Sequence, residues 1–257
     1  MVAMKRLEQI LWFAGSVAVA CALVALWQLI ADRRLISPVF LPGPDRAWAA
    51  LVEGFERGEL GAQLAATVER MIYGWLLASV LGVALGALIG SSRVARDYLG
   101  ASLEFLRPLP ASAIAPVAIA FFGLSNAMVL GVIAFGTLWP TLLATIHGFA
   151  AVEPRLVDVA RVLKLNRAQV IWKIALPNAL PDILAGMRFA LTVALILAVV
   201  GEMLASQEGL GHRILLAARS FRSADLFAGV ILLGAVGFVS NAMLALAERR
   251  LLRWRVR

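Results

Sequence analysis

The chain has 257 residues, of which 61% are hydrophobic and only 16% charged, against roughly 25% charged in a soluble globular domain. Its mean hydropathy of +0.87 excludes an ordinary soluble enzyme and points to a membrane protein. A net charge of +8 would raise nucleic acid as a partner for a soluble chain, but membrane topology accounts for it here.

The charges are unevenly placed: no Asp, Glu, Lys or Arg falls within residues 9–31, 71–92, 108–152 or 226–247. A helical span needs roughly 20 apolar residues, so three gaps hold one span each and the longest holds two. The chain begins with a basic flank and an apolar run, as a signal peptide does. That run continues past Cys21, so residues 9–31 are read as an uncleaved first span. With one cysteine there is no internal disulfide and no cysteine metal cluster to expect.

LPGP follows at 41–44, and then Trp48, Leu51, Val52 and Phe55 recur at i, i+3, i+4 and i+7. That spacing predicts an amphipathic helix over about 45–58, lying on the outer membrane surface or on its own bundle. The second span, about 71–91, carries Gly82, Gly86 and Gly90 at four-residue spacing, a ladder that suits internal helix packing or a dimer contact. The third, about 108–123, holds Pro108, Pro110 and Pro116. Prolines remove donors and bend a helix, so these three are candidates for a pathway or gate, with a kinked packing helix as the alternative. A hairpin at 123–126 separates it from the fourth span, about 127–148.

Residues 153–178 are polar again. Leu156, Val159, Ala160 and Leu163 form one face and Arg155, Asp158 and Arg161 the other, which predicts a first helix ending near Lys164. Asn166 and Gln169 then stand as a capping box. Val170, Ile171 and Ile174 line a second short helix that ends at Pro177, and Pro181 marks the entrance to span five. A DNA-binding helix-turn-helix has similar ingredients, but this segment is tethered to membrane spans at both ends. One face should sit on the bundle and leave the tip free for a groove on a partner.

Span five, about 183–204, is interrupted by Arg188 and Glu202 near its ends. Arg188 is read as an inner-interface anchor. Glu202 could pair with an arginine, face a solute path or reach interfacial water. Span six covers about 226–247, and a basic tail follows at 248–257. Six spans put both termini on one side. A cytoplasmic placement puts 16 of the 24 Lys and Arg inside, with Arg188 counted at the inner interface, as the positive-inside rule requires. His147 and His212 have no metal-ligand spacing, and no GxxxxGK[ST] or catalytic triad order occurs.

Asp158, Val159 and Ala160, then Lys164, then Ile174, Leu176 and Pro177 fall at the spacing of the coupling loop of ATP-binding-cassette importer permeases. That pattern is Glu-Ala-Ala, three residues, Gly, nine residues, Ile, one residue, Leu-Pro. LPGP, RPLP, AGMRFAL, GLGH and the basic tail extend the likeness along almost the whole chain, and the chain resembles the branch serving nitrate, sulfonate and taurine uptake. Two places depart: Asp158 for Glu keeps the charge, and Lys164 for Gly puts a Cβ where a positive φ would cost about 1 kcal/mol.

The resemblance implies an all-α membrane protein with a type I importer permease bundle, one transmembrane domain over 1–257 in the bacterial inner membrane, and a cytoplasmic coupling loop. The residues it assigns to coupling are Asp158, Val159, Ala160, Arg161, Lys164, Leu165, Asn166, Arg167, Ile174, Leu176 and Pro177. Its partners would be P-loop ATPase subunits, a periplasmic or lipid-anchored solute-binding protein and a second permease copy, most simply an identical one. The chain would be no enzyme and bind no cofactor or metal; ATP and Mg would sit in the ATPase. Pro108, Pro110, Pro116 and Glu202 remain the pathway candidates. A small anion such as nitrate, a sulfonate or taurine is the expected solute, with a neutral or aromatic vitamin precursor as the alternative substrate. A self-sufficient channel or ion-coupled carrier is the alternative function.

Overall fold

The computed structural model describes residues 2–254, so Met1 and the last three residues of the basic tail lie outside the described residues. Among the described residues the chain is helical. Its elements are α1 (Val2–Asp32), α2 (Pro44–Glu56), α3 (Glu59–Gly90), α4 (Arg93–Leu106), a 3-10 turn (Ala111–Ile114), α5 (Ala115–Phe122) and α6 (Asn126–Ala150). They continue with α7 (Pro154–Val162), α8 (Arg167–Val170), a π segment (Ile171–Ala175), α9 (Leu176–Ala205), α10 (Leu210–Arg219) and α11 (Ser223–Leu251).

Five of these stretches are long and apolar enough to cross a membrane: 11–32, 59–90, 126–150, 167–205 and 223–251. The sixth candidate is a pair, Arg93–Leu106 with Ala111–Phe122, bent by 83°. The third span expected over 108–123 falls in the second arm of this broken pair, with α4 added ahead of it. The physical reason lies in which prolines break the helix. Pro108 and Pro110 sit between α4 and the 3-10 turn, with Pro110 in extended backbone at its N-cap. Pro116 falls in the first turn of α5, where the missing N–H removes no hydrogen bond. Two further helices were not expected: α4, amphipathic and without a buried residue, and α10, in the segment between spans five and six.

The chain divides into two compact units, 1–61 with 213–232 and 62–212 with 233–257. In the first, Trp27 donates from Nε1 to the Pro42 carbonyl at 2.9 Å and its ring lies 5.4 Å from that of Phe227. Pro44 sits in the first turn of α2. Ala47 and Gly54 are the buried residues of this helix, while Trp48, Val52 and Phe55 of the expected stripe stay exposed. Arg213 bridges Glu59 (3.3 Å) and Asp225 (3.5 Å).

The second unit is built on α6 and α9, which run antiparallel in close contact. A Cβ on Gly148 would meet Ala179, one on Gly186 would meet Ala144, and one on Gly201 would meet Val129. The glycine ladder of α3 packs internally: Gly82 faces Thr141, Gly86 faces Thr145 and Gly90 faces Phe149, all on α6. Small residues let the backbones approach where lipid gives helices no hydrophobic reason to associate. Met71, Met128, Val129, Ile133, Ala194 and Ala198 form the centre of this core.

Candidate functional site: a helical projection and a buried ion-pair cluster

Residues 153–178 build a projection from the α6 end of the second unit. Pro154 starts α7 in its first turn, and the helix closes with a Schellman arrangement. Leu165 N–H donates to the Ala160 carbonyl (3.0 Å) and Lys164 N–H to that of Arg161 (3.0 Å). This closure puts the C′ residue in the left-handed region, and Lys164 has φ 52°. The lysine therefore stands in the same turn that a glycine would make, at a cost of about 1 kcal/mol. Asn166 and Gln169 exchange both bonds of a capping box, at 2.9 and 2.8 Å.

The second helix of the projection does not stop at Pro177. It passes from α8 through a π segment into α9, and Pro181 lies inside that helix. Leu176 N–H reaches back five residues to the Ile171 carbonyl. A wider turn immediately before Pro177 accommodates a ring that would otherwise press on the carbonyl four residues back. The expected pair of short helices is thus one short helix and one extension of a long one.

The base of the projection is fixed and its tip is bare. Ile171, Ala175 and Leu176 pack with Phe149, Val152, Ala179 and Ile183, and Asn178 donates to the Gly148 carbonyl at 3.2 Å. Of the apolar face expected on α7, only Ala160 is buried; Leu156, Val159 and Leu163 are exposed, as are Val162 (82%) and Trp172 (70%). Asp158 and Arg161 pair with each other at 2.8 Å in the open, a contact worth little in water. Arg167 is exposed, and Leu165 and Ile174 are half-buried.

At the other end of α9, Glu202 is fully buried. Its Oε1 accepts from Arg70 Nη1 at 2.8 Å, and its Oε2 from the Gly211 N–H at 2.9 Å and the Thr67 hydroxyl at 3.0 Å. Arg70 also donates from Nε to Asn126 Oδ1 (2.8 Å) and from Nη1 to the Glu208 carbonyl (2.5 Å). Leu210 N–H donates to Thr67 Oγ1 at 2.9 Å. The cluster ties α3, the start of α6, α9 and the start of α10 into one polar knot.

GLGH now has a structural reason. A Cβ on Gly209 would fall inside the Glu202 carboxylate, and one on Gly211 would strike the Val199 carbonyl. Glu202 therefore pairs with an arginine and has no surface toward a path. Arg70 and Thr67 were absent from the sequence candidates. Their signal was available: they lie three apart on one face of α3, at the edge of the charge-free stretch that begins with Met71.

The three prolines separate. Arg107, Leu109, Ala111 and Ser112, which flank Pro108 and Pro110, line a cavity of about 550 Å³ with Trp139, Phe189 and neighbouring residues of α6 and α9; none of the three prolines is itself among its walls, and Pro116 lies further along, in the first turn of α5. Arg188 pairs with Glu248 of α11.

Five or six helices long and apolar enough to cross a membrane make this an all-helical, multi-pass membrane protein by its fold. Residues 78–253 match the family described as "Binding-protein-dependent transport system inner membrane component", and the chain belongs to this family. It is 35% identical over 95% of its length, and 88% of the relative's, to SsuC of Bacillus subtilis (strain 168), assigned as an aliphatic sulfonates transport permease protein. It is 30% identical over 93% of its length, and 89% of the relative's, to the taurine transport system permease protein TauC of Escherichia coli (strain K12).

Among solved structures, inward-facing conformations of the MetNI methionine ABC transporter share the fold. The TM-score there is 0.66, at 17% identity, covering 79% of this chain and 98% of that one. The chain is thus the membrane-spanning permease of an ATP-binding-cassette importer, a transport component and not an enzyme. Its family works with ATPase and solute-binding partners. The reading as a self-sufficient channel or ion-coupled carrier falls with this assignment.

Proposed function

We propose that the projection at 153–178 is the cytoplasmic coupling element of this permease and docks in a groove of a P-loop ATPase. The observation that carries the reading is a contrast within one loop. Its base is locked by Phe149, Ala175 and Ala179, while Val159, Val162, Leu163 and Trp172 stay in water. Exposed apolar side chains on a short, rigid helix are what a groove-binding partner selects, and no other part of the described chain covers them. Asp158, Val159, Ala160, Arg161, Lys164, Leu165, Asn166 and Arg167 form the contact region. Ile174, Leu176 and Pro177 transmit its position to α9.

With this loop inside, both termini are cytoplasmic and the excess of basic residues follows the positive-inside rule. Two copies of the chain enclose the solute path, ATP and Mg are bound by the ATPase pair, and a binding protein delivers the solute at the outer face. The relatives' sulfonate and taurine transport favours a small anion over a neutral vitamin precursor. Co-expression with candidate ATPase and binding-protein subunits, followed by native mass spectrometry, tests the assembly. Two permease copies with two ATPase copies are expected; a permease that carries no ATPase would overturn the reading.

A further inference from the structure

We infer that α4 is an in-plane anchor, a helix lying in the membrane interface with its apolar arc set against lipid acyl chains. At about 100° per residue, Val94, Tyr98, Leu99, Phe105 and Leu106 fall within about 140° of its circumference, and Arg93, Arg96, Asp97 and Glu104 within about 100° on the opposite side. Such an apolar arc ordinarily packs on the protein. Yet α4 has no buried residue, and Tyr98 and Phe105 are 81% and 76% exposed.

The neighbours of α4 fix its place. A Cβ on Gly90, the last residue of α3, would meet Phe149, and Phe149 belongs to the packed base of the projection. The first residue of α4 lies three positions later, within about 11 Å of that level. Ser92 caps the helix by accepting from the Ala95 N–H at 3.3 Å, and the Arg96 guanidinium donates to the Gly90 carbonyl, so its roll is set. The other arm of the broken pair runs beside α6: Ala111 lies against Gly136 and Phe122 reaches Gly131. A turn of 83° from that arm lays α4 across the spans and not along them.

At 14 residues the helix is about 21 Å long, too short to cross about 30 Å of hydrocarbon. Stood upright, it would carry ionised side chains into lipid, which is costly. Lying flat, it keeps them among headgroups and water and sinks the apolar arc to the acyl boundary, the geometry of an interfacial helix. Its attachments select lipid as the occupant. Ser91 and Ser92 join it to α3, and residues 107–110 join it to the second arm, so it lacks the packed stalk that holds α7 off the bundle. Leu81, Leu85 and Leu88, at i, i+4 and i+7, are exposed on a helix long enough to cross the membrane, and this lipid-facing stripe leads to α4. Two arginines against two carboxylates leave the polar arc without net charge, so a zwitterionic headgroup surface suffices. The assignment to the cytoplasmic leaflet rests on the coupling reading above; the contact with lipid does not.

The test uses the full chain in a Cys21→Ala background, in phosphatidylcholine nanodiscs, with a nitroxide at Tyr98→Cys or Phe105→Cys on the apolar arc and at Asp97→Cys or Glu104→Cys on the polar one. Power saturation with oxygen and a nickel chelate reads the depth of each label. The apolar labels should lie about 5–10 Å below the phosphates and the polar labels at or above them. Val94→Cys repeats the apolar reading if a melting curve shows that either aromatic replacement unfolds the chain. Phe105→Asp should lift the Tyr98→Cys label toward the nickel chelate, because a charge in the arc opposes burial.

Apolar labels that meet the nickel chelate as readily as the polar ones would overturn the proposal, since the face would then be bare in water. So would apolar labels shielded from both reagents, the signature of a protein cover such as a second copy. Sidedness is read separately: a membrane-impermeant maleimide should label Asp97→Cys in inside-out vesicles and not in intact cells. Labelling from outside would strike the coupling reading, while the depth profile alone decides the anchor.

Discussion

The two ends of α9 treat polar and apolar groups in opposite ways. At the Ala205 end a buried carboxylate and a buried hydroxyl meet a half-buried guanidinium and three backbone groups, and they satisfy one another. At the Leu176 end, apolar side chains of α7 and the π segment stand in water above a packed base. Burying a charge is costly without partners, so the first end closes on itself and fixes four elements. Exposing valine, leucine and tryptophan is costly unless something covers them, so the second end is open to a partner. A 30-residue helix, about 45 Å long, joins the two.

The comparison can be broken most sharply at the closed end. Glu202→Ala removes the carboxylate from Arg70, which keeps only Asn126 and the Glu208 carbonyl, and should cost about 3 kcal/mol, read as a fall in the melting temperature in detergent, with the Arg70→Ala, Glu202→Ala double variant losing less than the sum. Gly209→Ala drives a methyl into the same carboxylate and should cost about 1–3 kcal/mol in the same assay; an unchanged melting curve would show that the knot yields freely.

The open end should respond in a different observable. Val162→Asp is expected to leave the melting curve alone and to weaken ATPase retention by about tenfold or more, the effect of spoiling a contact at an interface centre. Smallest is Lys164→Gly, which should stabilise the chain by about 0.5–1 kcal/mol in thermal unfolding, because glycine takes φ 52° without the Cβ penalty. A destabilising result would mean that the lysine side chain has a compensating contact.

Much of this was legible from residue order. Charge-free stretches located the long spans, because a membrane excludes ionised groups over a fixed thickness. Asn166 and Gln169 announced a capping box because the interaction is local. The residue spacing from Asp158 to Pro177 marked out the projecting loop and left its turn undecided. The left-handed residue at the lysine place follows from the hydrogen bonds of Leu165 and Lys164, which connect residues only three to five apart.

What escaped was long-range or depended on depth. Arg70 and Thr67 meet Glu202 across more than 130 positions in sequence, and their shared face on α3 marked them without naming that partner. The stretch drawn as one span at 108–123 is the second arm of a pair that turns by 83°, a break that hydropathy, which only counts apolar residues, does not register. The expected apolar face of α7 was correct in pattern and wrong in burial: periodicity identifies a face, and only packing reveals whether the chain itself covers it.

The coupling claim is tested most directly by crosslinking from Val162→Cys in a Cys21→Ala background, which removes the free native cysteine. In membranes holding the assembled transporter, the new thiol should crosslink to the ATPase and resist membrane-impermeant maleimide added outside intact cells. A thiol that labels from outside, or that never reaches the ATPase in an active transporter, would contradict the account.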